Sequence, residues 1–223
     1  MKLEPFSAVI FDCDGVLVDS EELGLRALQH ALREAGVERS LDYLTRFSGR
    51  SHGETLAELE GESGAALLAS GTVERMDEHY ANLVGAEGLH PCAGIPQLLS
   101  WLSANQIPFT LASSGPRGKV LLSLQSAGLA WAFPHFICAD DAARAKPAPD
   151  LYLAAAALVG TDPTECIAVE DAPNGVRSAR AAGMQVVGVT TNFAASALAG
   201  ANLVLDSLLL LPRYFAGLPH LLA

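Results

Sequence analysis

Four apolar residues, Ala8-Val9-Ile10-Phe11, run without a break into Asp12-Cys13-Asp14-Gly15. A short segment that is apolar on both faces reads as a central strand of a parallel sheet. Acidic residues at its carboxyl end put polar chemistry where open α/β sheets bind ligands. Similar runs recur at 108–112, 136–139, 167–169 and 186–189, with a weaker one at 202–205. Helical patterns lie between several of them. One spans 95–105, opened by Gly94 with Pro96 in its first turn; others span 120–127, closed by Gly128, and 175–182, closed by Gly183. Strands alternating with helices predict an α/β fold built on a parallel sheet.

Residues 20 to about 90 break the alternation and contain no convincing strand. Leu25, Leu28, Leu32 and Ala35 form an apolar stripe on a helix that Ser20 could cap and Gly36 could stop. Further helical segments follow around Tyr43, at 54–59 and at 73–83. The pattern predicts an all-helical cap domain over 18–90, inserted into a core domain made of 1–17 and 91–223, with a return linker at 85–91.

Hydrophobic residues are 50% of the 223, enough for a sizeable core, and charged residues are 17% without long runs, which argues against disorder. The formal net charge of -11 argues against nucleic-acid binding, since such a surface repels a phosphate backbone. It does not exclude a small phosphorylated ligand in a locally positive or metal-bearing pocket. Cys13, Cys92, Cys138 and Cys166 are scattered, with no C-x-x-C spacing, and Met1 to Phe6 carry no signal-peptide pattern. These features predict a reduced, cytoplasmic protein. The longest apolar stretches fall well short of a membrane span, so no membrane partner is expected.

Four stations carry the chemistry, each near the end of a predicted strand: Asp12-x-Asp14-Gly15 with Asp19-Ser20-Glu21; Ser113-Ser114-Gly115; Lys146-Pro147; and Glu170-Asp171. Taken singly, each has an ordinary reading as a turn, a helix cap, a solvated charge or a loop pair. A calcium loop starting at Asp12 fails, because its twelfth position is Leu23, which offers no oxygen. Taken together they form a set. Several carboxylates in one crevice repel one another, and a hard divalent cation relieves that conflict. A lysine and a serine hydroxyl then suit phosphate oxygens. Carboxylate nucleophile, acid/base carboxylate, metal and lysine together are equipment for phosphoryl transfer.

The stretches Phe11-Asp12-Cys13-Asp14-Gly15-Val16-Leu17-Val18-Asp19-Ser20, Ala112-Ser113-Ser114, Lys146-Pro147-Ala148-Pro149-Asp150 and Val169-Glu170-Asp171-Ala172-Pro173-Asn174-Gly175 resemble the four motifs of the haloacid dehalogenase superfamily. They resemble in particular the branch with a helical cap inserted after the first motif, which holds phosphoglycolate phosphatase, sugar-phosphate phosphatases and beta-phosphoglucomutase. The resemblance implies a Rossmann-like core. It implies that Asp12 is the nucleophile and forms an aspartyl-phosphate. Asp14 would protonate the leaving oxygen, then activate water, and would ligate Mg²⁺ through its main-chain carbonyl. Ser113, Ser114 and Lys146 would bind the phosphoryl group, and Asp171 with Glu170 would complete the metal site. Gly15 suits a close backbone approach beside the phosphate. Cys13 should point away from the two aspartates, as a small buried hydrophobe.

The family's true dehalogenases lack the second aspartate, which is present here. Its phosphonate-cleaving members use a cap lysine, and the lysines of this chain are Lys2, Lys119 and Lys146 alone, none in the cap. Beta-phosphoglucomutase is the serious alternative. Its members carry a cap-helix histidine where counting places Gly24 here, and cap lysines that are absent. Water is therefore the expected phosphoryl acceptor. An inactive binding module would be expected to have lost the nucleophile or the acid, and both are present. Gly49 and Arg50 sit where this branch contacts the leaving group, with Arg46 and His52 as weaker candidates. The expected partner is a small phosphomonoester substrate, with hexose phosphates, phosphoglycolate, phosphogluconate and nucleotides all open, and the protein is expected to be a monomer or small homo-oligomer.

Overall fold

The computed structural model describes residues 3–217. Met1 and Lys2 lie outside the described residues, so the readings that touch them have no structural counterpart. The chain forms two compact units, one from the chain up to Asp19 and again from His90, the other from Ser20–Leu89.

In the first unit, five strands form a parallel sheet: β1 (Ala8–Phe11), β2 (Phe109–Leu111), β3 (Cys166–Glu170), β4 (Gln185–Val189) and β5 (Leu203–Leu205). Their spatial order is β2-β1-β3-β4-β5. Every residue of β1 and β3 is buried, which is why both read as unbroken apolar runs rather than alternating ones. The register sets Phe11 beside both Leu111 and Val169. The residues just beyond the ends of β1, β2 and β3 therefore emerge side by side.

The run at 136–139 is not a strand. Among the described residues it contributes one parallel bridge, Ala112 to Ile137, and then turns away. The turn is fixed by the Asp141 carboxylate, which accepts from the Cys138 main-chain N–H (2.9 Å), while Asp140 accepts from Arg117 N–H (2.7 Å). Asp141 binding a local backbone donor, and Asp140 one 23 residues earlier in the chain, end the ladder after a single rung.

The second unit is helical: α1 (Glu21–Glu34), α2 (Leu41–Leu44), α3 (His52–Ser63) and α4 (Thr72–Glu87). Its core joins Leu28, Ala31 and Leu32 of α1 to Leu44, Phe47, Leu56, Leu59, Leu67 and Met76. Ser20 occupies the N-cap position of α1 but makes no side-chain capping bond; α3 has the full reciprocal cap between Ser51 and Glu54. The return linker is shorter than expected, because α4 continues through Gly85 to Glu87 and ends at Gly88. Arg26 and Glu87 tie the first helix to the last at 2.6 Å.

The remaining helices belong to the sheet unit: α5 (Ile95–Ala104), α6 (Arg117–Ser126), α7 (Asp150–Leu158), α8 (Pro173–Ala181) and α9 (Leu211–Ala216). Helix α6 begins three residues before the apolar pattern suggests. In the same unit the two segments that flank the inserted helices are laced together. Val18 and Pro91 form an antiparallel bridge, Asp19 N–H donates to His90 C=O (3.1 Å) and Cys92 N–H donates to Leu17 C=O (3.0 Å).

Gly175, in the first turn of α8, lies against β3 so closely that a Cβ there would stand 1.8 Å from Glu170 Oε1. Gly24, inside α1, has nothing within 4 Å of such a Cβ. Gly175→Ala should destabilise the protein by about 1–3 kcal/mol through forced displacement of a packed side chain. Gly24→Ala should stabilise it by about 0.5–1 kcal/mol by removing backbone entropy from the unfolded chain. Thermal unfolding of the two variants checks this; shifts of the same sign would contradict the packing described.

Candidate active site

Asp12 follows β1 directly, and its main-chain N–H is fixed by Val169 C=O on β3 (2.9 Å). Lys146 reaches it from the loop before α7. The Lys146 ammonium donates to Asp12 Oδ1 (2.5 Å) and to Glu170 Oε1 (2.7 Å), with 7% of its side chain exposed. Burial favours a neutral lysine, but the charges of Asp12 and Glu170 outweigh it and hold the ammonium above its ordinary range. Burial pushes the Asp12 carboxyl up to about 7; Lys146 pulls it down and the neighbouring carboxylates add to the rise.

Glu170, the last residue of β3, is a fully engaged acceptor. Its Oε1 receives Lys146 and the Tyr152 hydroxyl (2.7 Å), and its Oε2 receives the main-chain N–H groups of Asp171 (3.2 Å) and Ala172 (3.3 Å). Four donors match the four acceptor positions of a carboxylate. Tyr152 stays a donor, because burial first and the Glu170 charge second push its hydroxyl well above the usual value. Asp171 is oriented by Asn192, whose side-chain amide donates to Oδ2 (2.7 Å).

Asp14 stands apart from this cluster in its partner. Lys119, in the first turn of α6, donates to Asp14 Oδ2 at 2.9 Å. Gly15 turns the chain beside it with φ +75, and a Cβ there would lie 2.2 Å from Asp171 Oδ2 and 2.5 Å from Asn192 Nδ2. The tight approach that requires glycine at 15 is thus to Asp171 and Asn192. Cys13 is buried, as its strand-end position implied, and burial keeps it a thiol.

Ser113 is buried two residues beyond β2, the strand next to β1; its N–H is held by Ile137 C=O (3.0 Å) and its Oγ accepts from Gly115 N–H (3.1 Å). Ser114 is exposed. In the helical unit Gly49 turns with φ +71, and Arg50 pairs with Glu58 at 2.5 Å over the Phe47 ring. Arg46 shares Glu58 at 2.7 Å, and His52 opens α3. Tyr152, Asn192 and Lys119 had not been singled out as site residues. Asn192 follows β4, the one long strand to which no chemistry had been assigned, and Lys119 is one of only three lysines in the chain.

Residues 9–189 match the family described as Haloacid dehalogenase-like hydrolase. The chain belongs to this family. It is 35% identical over 200 residues to Hexitol phosphatase A of Escherichia coli, covering 89% of this chain and 90% of that one. It is 32% identical over 190 residues to Beta-phosphoglucomutase of Bacillus subtilis, covering 82% of each. It matches 20% of the much longer Protein SUPPRESSOR OF QUENCHING 1 of Arabidopsis thaliana, 32% identical over 91% of this chain. The crystal structure of a hydrolase from Pseudomonas syringae superposes with TM-score 0.84 at 27% identity, over 95% of this chain and 99% of that one. No described helix of this haloacid dehalogenase-like hydrolase is long and apolar enough to cross a membrane.

A metal ion fits the donor set. Asp12, Glu170 and Asp171 each offer a carboxylate oxygen, and these atoms lie within 4.8 Å of one another. Such an all-oxygen, anionic group suits a hard divalent cation.

A carboxyl raised to about 7 keeps its proton in the folded, metal-free protein at pH values where the unfolded chain has lost it. Its contribution therefore favours folding at low pH and is lost as pH rises through about 7. A cation that binds the deprotonated form should reverse this. The rise in melting temperature on adding Mg²⁺ should be larger at about pH 8 than at about pH 6. Equal rises, read by thermal shift, would separate Asp12 from the metal.

Proposed function

We propose that this chain is a magnesium-dependent phosphatase that hydrolyses small phosphomonoesters, sugar phosphates or similar metabolites, through an aspartyl-phosphate on Asp12. The observation that carries the reading is the Asp12 carboxylate held by the Lys146 ammonium at the edge of a three-carboxylate cluster. Family membership and the names of the relatives support it.

In this reading an Asp12 oxygen attacks phosphorus and the bond to the leaving oxygen breaks. Asp14 gives that oxygen its proton. Water then attacks the acyl phosphate, Asp14 takes the proton of the water, and phosphate departs. Lys146 and the Ser113 hydroxyl neutralise and orient the phosphoryl oxygens, with Ser114 as a further donor. Asp12, Asp171 and the main-chain carbonyl of Asp14 would hold Mg²⁺, with Glu170 completing the negative charge around it. When bound, the ion supplies charge neutralisation to the transferring group. The helical unit serves as the cap, and Gly49 and Arg50 contribute to the choice of leaving group. The cysteines, all thiols, agree with a reducing, cytoplasmic setting.

The mutase reading draws support from the similarity to Beta-phosphoglucomutase. A mutase must keep water away from the aspartyl-phosphate until a second sugar hydroxyl arrives. Gly24 offers no side chain for this, and Ser20–Leu89 contains no lysine to hold a sugar phosphate. Water therefore wins.

Asp12→Asn should cut turnover by about three or more orders of magnitude without loss of folding. Activity should vanish with a chelator, return with Mg²⁺ and be inhibited by Ca²⁺, whose looser coordination misplaces the reacting groups. With glucose 1-phosphate of either anomer, any reaction should release inorganic phosphate. Sustained glucose 6-phosphate formation outpacing phosphate release would make the enzyme a mutase.

A further inference from the structure

Two lysines lie among the described residues, and each is bound to one of the two aspartates of the Asp12-x-Asp14 pair. Lys146 holds Asp12; Lys119 holds Asp14 Oδ2 at 2.9 Å. The second contact joins residues 105 positions apart and is part-buried, with 16% of the Lys119 side chain exposed. A lysine that shielded solvent-facing charge would have no need of such a setting. Lys119 is brought there by the early start of α6 at Arg117, so that it projects from the first turn rather than from the loop before it. Asp12 and Glu170 already have Lys146, and Asp171 has Asn192, whereas the pairing found for Asp14 across the sheet unit is Lys119.

We propose that Lys119 is a positioning residue for Asp14: its hydrogen bond to Oδ2 fixes the carboxyl so that the other oxygen, protonated when substrate binds, passes its proton to the leaving oxygen. The inference rests on the phosphatase reading above. It concerns one step of it, in which the phosphorus–oxygen bond breaks, the Asp12–phosphorus bond forms and the Asp14 proton moves to the departing oxygen. Proton transfer from a placed side chain contributes roughly 10²–10⁴-fold. Misplacing Asp14 should therefore matter most for leaving groups that cannot depart as anions.

The test measures kcat/KM for a series of phosphomonoesters, from simple alkyl phosphates to 2,4-dinitrophenyl phosphate, in the wild type, Lys119→Met and Lys119→Arg. Lys119→Met should lose about a hundredfold on alkyl esters, with the loss shrinking steadily as the leaving group becomes more acidic. Lys119→Arg should recover part of the alkyl activity. Adding Lys119→Met to Asp14→Asn should cost no more on alkyl esters than Asp14→Asn alone, since both act on one group. If the methionine variant does not fold, Lys119→Ala carries the same comparison. An equal loss across all esters, or none, would overturn the proposal, as would a loss confined to esters whose leaving group bears its own anion, which would make Lys119 a substrate ligand. Wild-type protein inert towards every ester would overturn the phosphatase reading itself.

Discussion

Negative charge gathered at the ends of two neighbouring strands is the constraint on which this structure turns. Asp12 and Asp171 follow β1 and β3, which are paired in the sheet, and Glu170 ends β3. Buried carboxylates so close together are costly unless compensated. One ammonium, that of Lys146, compensates two of them at once, and the main-chain donors of Asp171 and Ala172 complete the satisfaction of Glu170. The rest follows from this need. Gly175 has no side chain because Glu170 fills the space it would take, and Gly15 has none because Asp171 and Asn192 do. A divalent cation in this cluster would relieve the same repulsion, so stability without the ion and affinity for it are opposed through one set of groups.

The fold was legible because its central strands are buried on both faces. A chain segment that needs no polar face leaves a continuous apolar run, and β1, β3 and β4 were readable within about one residue of their ends. The residues that follow such runs were readable for the same reason: the sheet must deliver them to one edge. Asp12, Glu170 and Asp171 accordingly come together, and Lys146 joins them from the loop before α7 rather than from a strand end. What failed was the segment at 136–139, whose apolar character comes from packing beside the sheet rather than from pairing in it. Phe136 and Cys138 are buried, yet Asp141 binds the backbone of Cys138 and Asp140 that of Arg117, and the ladder ends. Periodicity reports burial, and burial is not pairing.

The supporting residues of the site were less visible. Tyr152 sits inside an alanine-rich helix where an aromatic residue reads as core, and its hydroxyl contact with Glu170 cannot be inferred from spacing. Asn192 lies in a loop of small and polar residues, the usual composition of a turn. Lys119 was hidden by the weak apolar pattern at the start of α6, whose first turn is half exposed. These side chains act through the residues they hold. Their signal is therefore spatial, and a sequence carries it only through the geometry of the fold.

The short ladder formed by Leu17–Val18–Asp19 with His90–Pro91–Cys92 has an architectural consequence. Hydrogen bonds across those two segments close the loop at its neck, within the sheet unit and before the inserted helices begin. The entropy of bringing the loop ends together is thus offset locally, and it grows only slowly with the length of what lies between them. A fold closed in this way behaves as a socket. The segment between Asp19 and His90 can be exchanged, lengthened or redesigned with little thermodynamic effect on the sheet unit, so that change in the inserted helices and preservation of the carboxylate cluster are separate problems for the chain.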